Sequence, residues 1–99
     1  MDIKIQAVHF SADEKLKSFI SEKLAKLVKF YDRIINVDVF LKLENSGQVK
    51  DKIVELKAHI PGSTIVVSSV GKSFEASFDE ANDIIIRQLK RKKEKQKVA

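Results

Sequence analysis

The sequence predicts an α+β fold, a two-layer sandwich in which a four-stranded mixed sheet carries two helices on one face. Two segments repeat apolar residues at steps of three and four, as amphipathic helices do, and four shorter segments alternate or run apolar as strands do. Their order is β-α-β-β-β-α. With 99 residues, 43% of them hydrophobic and 33% charged, the chain fits one domain over residues 1–99 with its own core.

The first predicted strand and the first predicted helix lie near the start of the chain. Apolar residues alternate with other residues in the strand at Ile3, Ile5 and Ala7. The strand is predicted to end near His9 or Phe10. Ser11 and Glu14 have the Ser-x-x-Glu spacing of a capping box, so the helix is predicted to begin there. Its apolar positions recur at helical steps and are Leu16, Phe19, Ile20, Leu24, Leu27 and Tyr31.

Three predicted strands follow, separated by short connections. The apolar positions of the second are Val37, Val39, Leu41 and Leu43, and those of the third are Val54, Leu56, Ala58 and Ile60. Turn signals separate the strands at Asn45-Ser46-Gly47 and at Pro61-Gly62-Ser63. The fourth strand runs from Thr64 to Val70, and its unbroken apolar run at residues 65–67 fits either a covered or an edge position.

These elements predict the topology of the sheet. Short connections predict that strands two, three and four form an antiparallel meander. The first helix is long enough for a crossover, so strands one and two are expected to be parallel neighbours. Each helix has one apolar stripe, and both stripes are buried if both helices lie on the same sheet face. The opposite face, with its Lys, Glu and His residues, is expected to face solvent or a partner.

The last predicted helix follows Gly71 and Lys72, with Ser73 or Ser77 as its cap. Its apolar stripe consists of Phe74, Phe78, Ala81, Ile85 and Leu89. Beyond it, residues 90–97 read Lys-Arg-Lys-Lys-Glu-Lys-Gln-Lys, which places charge on every side of a helix. Residues 87–97 contain seven basic residues and one acid, a net charge of +6, whereas the whole chain carries +5. The rest of the chain therefore sums to −1.

A nearly neutral body with a cationic end, at about residues 87–97, is an electrostatic footprint for a polyanion such as a nucleic acid. Two other interpretations fit the same charge pattern. The end is then either a frayed, solvated tail that only helps solubility, or a contact for an acidic protein or membrane surface. Charge alone leaves these interpretations open.

Other sequence features argue against catalysis, metal binding and cofactors. Cysteine is absent, and His9 and His59 have no carboxylate neighbours at metal-ligand spacing. Asp79 and Asp83 lie four apart on one helix face, but the preferred interpretation is that Asp83 pairs with Arg87 one turn on. No glycine-rich phosphate loop, signal peptide or stretch of about 20 apolar residues is present. We therefore expect a soluble intracellular protein without catalytic residues.

Several runs together carry a family resemblance. They are Lys23-Leu24-Ala25-Lys26-Leu27, Tyr31-Asp32-Arg33-Ile34, the strand from Val37 to Lys42, Asp79 and Asp83, Arg87-Gln88-Leu89, and the basic residues Arg91, Lys93, Lys95 and Lys97. In this order, over nearly the whole chain, they resemble the ribosome hibernation-promoting factors, also called ribosome-associated inhibitor A. Because the chain stops after its basic helix, it resembles the short form of that family.

The resemblance implies a fold like double-stranded RNA-binding domains and a specific partner. Members of the family occupy the small ribosomal subunit across the messenger RNA channel and the transfer RNA sites, which blocks translation and stores inactive ribosomes. A cytoplasmic protein is implied, with no membrane partner, small-molecule substrate, cofactor or enzymatic activity. The residues implied to contact ribosomal RNA are Lys23, Lys26, Arg87, Lys90, Arg91, Lys93 and Lys95, of which Lys90 matches less well. The alternatives are a duplex-RNA binder and a basic module for an acidic protein.

Overall fold

The computed structural model describes residues 2–44 and 51–98, and for residues 93–98 it describes the backbone alone. The predicted turn at residues 45–47 lies outside the described residues. The elements are β1 (Asp2–Ala7), α1 (Glu14–Phe30), β2 (Asn36–Leu43), β3 (Lys52–Ile60), β4 (Ser63–Gly71) and α2 (Phe74–Val98). The predicted order β-α-β-β-β-α is confirmed.

The four strands form one sheet in the order β1-β2-β3-β4. β1 is parallel to β2, with Ile5 opposite Val39. β2 and β3 are antiparallel, as are β3 and β4, and the register places Val39 opposite Leu56 and Leu56 opposite Val67. The parallel pair and the antiparallel meander are therefore both confirmed, because α1 supplies the crossover that a parallel pair requires.

Both helices pack on one face of this sheet, and their apolar stripes form the core with the inward strand residues. The buried residues of α1 are Leu16, Ile20, Leu24 and Leu27, and those of α2 include Phe78, Ala81, Ile85 and Leu89. Phe19 and Phe78 meet edge to face, with their ring centroids 6.0 Å apart. This ring contact between the helices, together with the sheet beneath them, holds α1 and α2 side by side.

The strand positions follow the predicted alternation, with one exception at a strand end. Val37, Val39 and Leu41 are fully buried, whereas Leu43 is exposed. β1 ends at Ala7, opposite Leu41, and therefore leaves the last residues of β2 without a neighbour on that side. The expectation that Leu43 belongs to the buried face was wrong for this reason.

β4 occupies an edge of the sheet, which decides between the two positions that its sequence allowed. Ile65 and Val67 are buried, while Val66 between them and Val70 are exposed on the outer face. The apolar run at residues 65–67 thus alternates in burial although it does not alternate in polarity. An edge strand with one covered face explains this pattern.

The cap of α1 lies two residues later than the predicted cap at Ser11. Asp13 is the cap, because its carboxylate accepts the N–H of Leu16 at 2.8 Å, and the helix starts at Glu14. Before it, the Phe10 ring stacks on Phe74 with centroids 5.2 Å apart, which holds this connection against the start of α2. Because Asp13 and not Ser11 is the cap, the capping box predicted at Ser11 was wrong.

The start of α2 is anchored to the sheet by Ser77. The hydroxyl of Ser73 caps the helix by accepting the N–H of Ala76 at 3.1 Å, which chooses Ser73 over Ser77 as the cap. Ser77 is fully buried, and its Oγ lies 2.6 Å from the carbonyl oxygen of Lys52 in β3. A Cβ on Gly71 would lie 2.8 Å from this Oγ, so the close approach of α2 to β4 requires glycine there.

Candidate nucleic-acid interface

α1 and α2 run in the same direction across the sheet. β1 and β4 point the same way, since β1 is parallel to β2 and β4 returns through two antiparallel pairings. Each helix follows one of these strands and therefore crosses back from the same end of the sheet. As a result, the second half of α1 lies beside the middle of α2, where the predicted basic positions of the two helices meet.

A groove of about 540 Å³ lies between the two helices at this place. We call it the interhelical groove. Its apolar lining comes from both helices and from the residue after α1, and consists of Leu27, Phe30, Tyr31, Ile86 and Leu89. Three lysines line it as well, Lys23 and Lys26 from α1 and Lys90 from α2, together with Asn82. The groove therefore combines an apolar interior with cationic walls.

The structure brings together three of the predicted RNA-binding residues in this groove: Lys23, Lys26 and Lys90. Lys26 and Lys90 are exposed and stand on opposite walls. No carboxylate belongs to the lining residues. The positive charge of the two walls is thus directed at one shared space, which attracts a negatively charged ligand.

Lys23 is the most constrained of the three lysines. Its Nζ lies 2.6 Å from Oδ1 of Asp79 on α2 and 4.9 Å from the centroid of the Phe19 ring. The stem of Lys23 is therefore packed between the helices while its ammonium stays partly in solvent. A contact of Lys23 with a phosphate would require its ammonium to share or leave this carboxylate.

Asp79 is thus an ion-pair partner of Lys23. Among the residues that the structure describes, no group of three or more His, Cys, Asp or Glu side chains is placed to hold a metal ion. The predicted pairing of Asp83 with Arg87 takes a different form, because Arg87 Nε donates to the Asp83 backbone carbonyl at 3.4 Å. That hydrogen bond links successive turns of α2.

Arg87 and Arg91 are exposed on α2 but do not line the interhelical groove. They follow Ile86 and Lys90 by one residue each, which places them about 100° further round the helix. The predicted basic surface therefore divides into two neighbouring parts, the groove lysines and an outer arginine pair. A ligand that enters the groove and continues over α2 meets both.

The remaining basic residues lie toward the end of α2. Lys92 Nζ donates to Ser63 Oγ at 2.5 Å, which ties the helix to the start of β4. The backbones of Lys93 and Lys95 belong to α2, and their side chains lie outside the described part of the structure. Beyond Leu89, the last core residue of α2, the helix continues to Val98, roughly 13 Å further at 1.5 Å per residue.

Sequence reasoning missed the groove residues that carry no charge. Phe30 is 81% exposed although it is large and apolar, and it stands one position off the apolar stripe of α1. The one signal in the sequence for an exposed aromatic ring was this position of Phe30, off the stripe and four residues after Lys26. Asn82 has a buried Oδ1 without a hydrogen-bond partner, a property that only the packed structure reveals.

The outer face of the sheet differs from the helix face in its charge. There Lys42 and Lys57 each lie within 4 Å of a Glu55 carboxylate oxygen, at 3.7 and 3.8 Å. His59 lies 3.1 Å from a carboxylate oxygen of Asp38 and 3.2 Å from the Thr64 hydroxyl, so this histidine is satisfied by hydrogen bonds. Charges on this face are largely balanced by neighbours, whereas the helix face presents unbalanced positive charge.

Comparison with known proteins places the chain in a family. The model of the sigma 54 modulation protein / S30EA ribosomal protein family matches residues 3–97. The chain belongs to this family. Its relatives include the ribosome hibernation promoting factor of Pseudomonas putida, 34% identical over 96 residues that cover 97% of this chain and 90% of the relative. The ribosome hibernation promoting factor of Escherichia coli is 33% identical over 97 residues, which cover 98% of this chain and 98% of the relative.

Solved structures agree with membership of the S30EA family. A ribosomal subunit interface protein from Coxiella burnetii matches with a TM-score of 0.84 at 22% identity, over 94% of this chain and 98% of that chain. The N-terminal domain of Protein Y from Thermus thermophilus matches with a TM-score of 0.77 at 26% identity, over 92% and 98%. The predicted fold and the resemblance to hibernation-promoting factors are both confirmed. No helix in the described residues has the length and apolar character to cross a membrane.

Proposed function

We propose that this protein is a ribosome hibernation factor that binds the small ribosomal subunit across the messenger RNA channel and the transfer RNA sites. The observation that carries the proposal is the convergence of Lys23, Lys26 and Lys90 on one groove, in a chain whose relatives are named ribosome hibernation promoting factors. Cations from distant segments are combined by the fold into one surface. Such a surface suits a large polyanion. The name of the relatives indicates that this polyanion is the ribosome.

The mechanism is steric occlusion held by electrostatic attraction. The protein is elongated, with dimensions of 48 × 24 × 19 Å, and in the proposed complex it fills a cleft of the small subunit. Phosphate contacts fix its position and orientation but carry little sequence information. Specificity then comes from the match between a rigid domain and a folded RNA cleft, as in proteins that read RNA by shape. Messenger and transfer RNA are excluded by volume, and no bond is made or broken.

The proposed contacts to ribosomal RNA phosphates are Lys23, Lys26, Arg87, Lys90, Arg91, Lys93 and Lys95. The first helix and the outer pair of arginines position the body, and the basic end of α2 extends the contact beyond the core. A protein that acts on ribosomes in this way works in the cytoplasm.

The experiment that tests the proposal is co-sedimentation of the purified protein with purified small and large ribosomal subunits at low and raised salt. We expect binding to the small subunit alone, weakened by salt because released counterions favour the complex. Messenger RNA together with transfer RNA is expected to displace the protein. Absence of binding to both subunits contradicts the proposal, and so does equal binding to the two.

Two further measurements separate the alternative functions. A plain RNA duplex of about 16 base pairs is the natural ligand of a double-stranded RNA-binding domain, so a hibernation factor is expected to bind it much more weakly than the small subunit. Nuclease treatment is expected to abolish binding to ribosomal material. Retention of an acidic protein after nuclease treatment indicates instead a protein interaction module.

A further inference from the structure

We propose that the interhelical groove binds one unstacked nucleobase of single-stranded RNA, while the lysines on its walls hold the phosphates on either side. This inference rests on the proposed function, because it assumes that RNA is the polyanion that the helix face meets. It adds a second mode of contact to the electrostatic one. The ligand class is a flexible RNA strand with at least one base free to leave its stack.

The shape and lining of the groove suit an aromatic ring. Its volume of about 540 Å³ lies within the range of roughly 300 to 1,000 Å³ typical of ligand sites. Leu27, Ile86 and Leu89 supply an apolar interior, and Phe30 stands at the groove with 81% of its surface exposed. An exposed aromatic beside cations is the combination on which proteins stack the bases of single strands.

The distribution of charge favours a nucleotide over an acidic peptide. Lys26 and Lys90 stand on opposite walls of the apolar groove, and no carboxylate lines it. A nucleotide carries its planar apolar part and its negative charge within a single unit and flanks each base with phosphates. In a peptide, the apolar and acidic side chains belong to different residues. A peptide is therefore a poorer match than a nucleotide for an apolar groove that lies between two cations.

Asn82 provides an independent sign that the groove has a polar ligand. Its Oδ1 is buried and has no hydrogen-bond partner, an arrangement that costs free energy in a folded protein. A carboxamide offers two donors and an acceptor, the groups with which asparagine pairs with base edges. Asn82 lines the groove, so its carboxamide can turn toward a base there, and the base then supplies the partner that Oδ1 lacks in the free protein.

The test uses two labelled RNA probes, a uridine hexamer and an abasic hexamer with the same number of phosphates but no bases. Fluorescence anisotropy at low salt gives the affinity of the full chain for each. We expect the uridine hexamer to bind roughly 5- to 150-fold tighter, the range that corresponds to stacking of one base. Equal affinities for the two probes overturn the inference.

Two exposed apolar residues supply a matched pair of variants. Phe30→Ser is expected to lower the affinity for the uridine hexamer toward that for the abasic hexamer. The affinity for the abasic hexamer is expected to stay unchanged. Ile35→Ser is the control, because Ile35 is 59% exposed and does not line the groove, and we expect it to change neither affinity. Both side chains are largely in solvent, so circular dichroism is expected to show an intact fold. A Phe30→Ser variant that binds the uridine hexamer as tightly as the unchanged protein also overturns the inference.

A nuclear magnetic resonance titration locates the contact directly. The side-chain amide of Asn82 and the ring of Tyr31, the sole tyrosine of the chain, are expected to shift with the uridine hexamer and not with the abasic one. If an acidic aromatic peptide, Glu-Asp-Phe-Glu-Asp, saturates these shifts at lower concentration than the RNA, the ligand class is wrong. Small-subunit binding without a preference for bases refutes this inference alone, whereas loss of all RNA and subunit binding refutes the proposed function as well.

Discussion

The ammonium group of Lys23 and the carboxylate of Asp79 lie 2.6 Å apart and join α1 to α2, although 56 positions separate the two residues in the chain. The side chains are 40% and 49% exposed, so solvent screens their attraction. Exposed pairs of this kind stabilise a protein by about 0 to 1 kcal/mol. The main effect of the pair is therefore to place a negative charge beside the interhelical groove and to hold the Lys23 ammonium on Asp79.

Removal of that negative charge is expected to strengthen RNA binding. Asp79→Asn frees Lys23 and lowers the repulsion of phosphates, so we expect the affinity for the small subunit to rise roughly two- to fivefold at low salt, with less than about 1 kcal/mol lost in stability. Titration with purified subunits measures the first and urea unfolding the second. Glu14→Gln makes the same change in net charge at the start of α1 and is expected to have little effect. A weaker complex with Asp79→Asn would mean that Asp79 itself supports binding.

Charge reversal on the outer face of α2 is expected to abolish ribosome binding without unfolding the protein. Arg87→Glu combined with Arg91→Glu changes two exposed residues that contribute nothing to the core. The matched control is Lys4→Glu with Lys72→Glu, which alters net charge equally at two exposed positions away from the proposed interface. Co-sedimentation compares the two variants, and circular dichroism checks the fold. The assignment of the arginine pair fails if both variants bind the small subunit alike.

Lys90 is expected to act through phosphate contact, which has a specific signature in salt. Each phosphate contact contributes about one unit to the slope of log affinity against log salt concentration. Lys90→Ala is therefore expected to lower the magnitude of this slope by about one, with a moderate loss of affinity at low salt. The same substitution at Lys4, on the outer sheet face, is expected to leave the slope unchanged. A Lys90→Ala protein with an unaltered slope contradicts a phosphate contact at this position.

The contact between Gly71 and Ser77 predicts a non-additive effect on stability. Gly71→Ala places a methyl group 2.8 Å from Ser77 Oγ, and forced contacts of this kind cost about 1 to 3 kcal/mol. Ser77→Ala removes the hydrogen bond to Lys52 and costs about 1 kcal/mol. In the double variant the methyl group meets no hydroxyl, so we expect its cost to be about 1 kcal/mol less than the sum.

Urea unfolding of the two single variants and the double variant measures this coupling. Gly62→Ala is the control, because Gly62 has φ of 77° and no atom within 4 Å of an added Cβ. Its cost arises from the backbone alone, about 1 to 2 kcal/mol, and is expected to be the same with or without Ser77→Ala. Strict additivity of Gly71→Ala and Ser77→Ala would show that the chain relaxes around the methyl group.

The sequence predicted the fold well wherever local periodicity determines structure. Apolar steps of three and four located both helices, and alternation located the strands, because each element buries one face. Prediction failed where two local options were equally suitable. Ser11 and Asp13 are both chemically suitable helix caps, and the local pattern did not show that α1 begins after the second.

The candidate site was predictable in part for the same reason. Basic residues are visible in the sequence, and the family resemblance singled out Lys23 and Lys26. Their convergence with Lys90 depends on the distance between two helices, which residue spacing does not encode. The unpartnered Oδ1 of Asn82 and the exposed ring of Phe30 follow from packing alone, so neither was anticipated.

The shared direction of α1 and α2 has a consequence for how this surface evolves. Many anion sites use the amino ends of helices, where backbone N–H groups and the positive pole of the helix dipole come with the fold. Here the groove lies beside the carboxyl-terminal half of α1, toward the negative pole. In the proposed complex, attraction for phosphate must then come wholly from side chains such as Lys26 and Lys90. Single substitutions are therefore expected to raise or lower the proposed affinity for RNA by degrees, while the scaffold that shapes the groove stays unchanged.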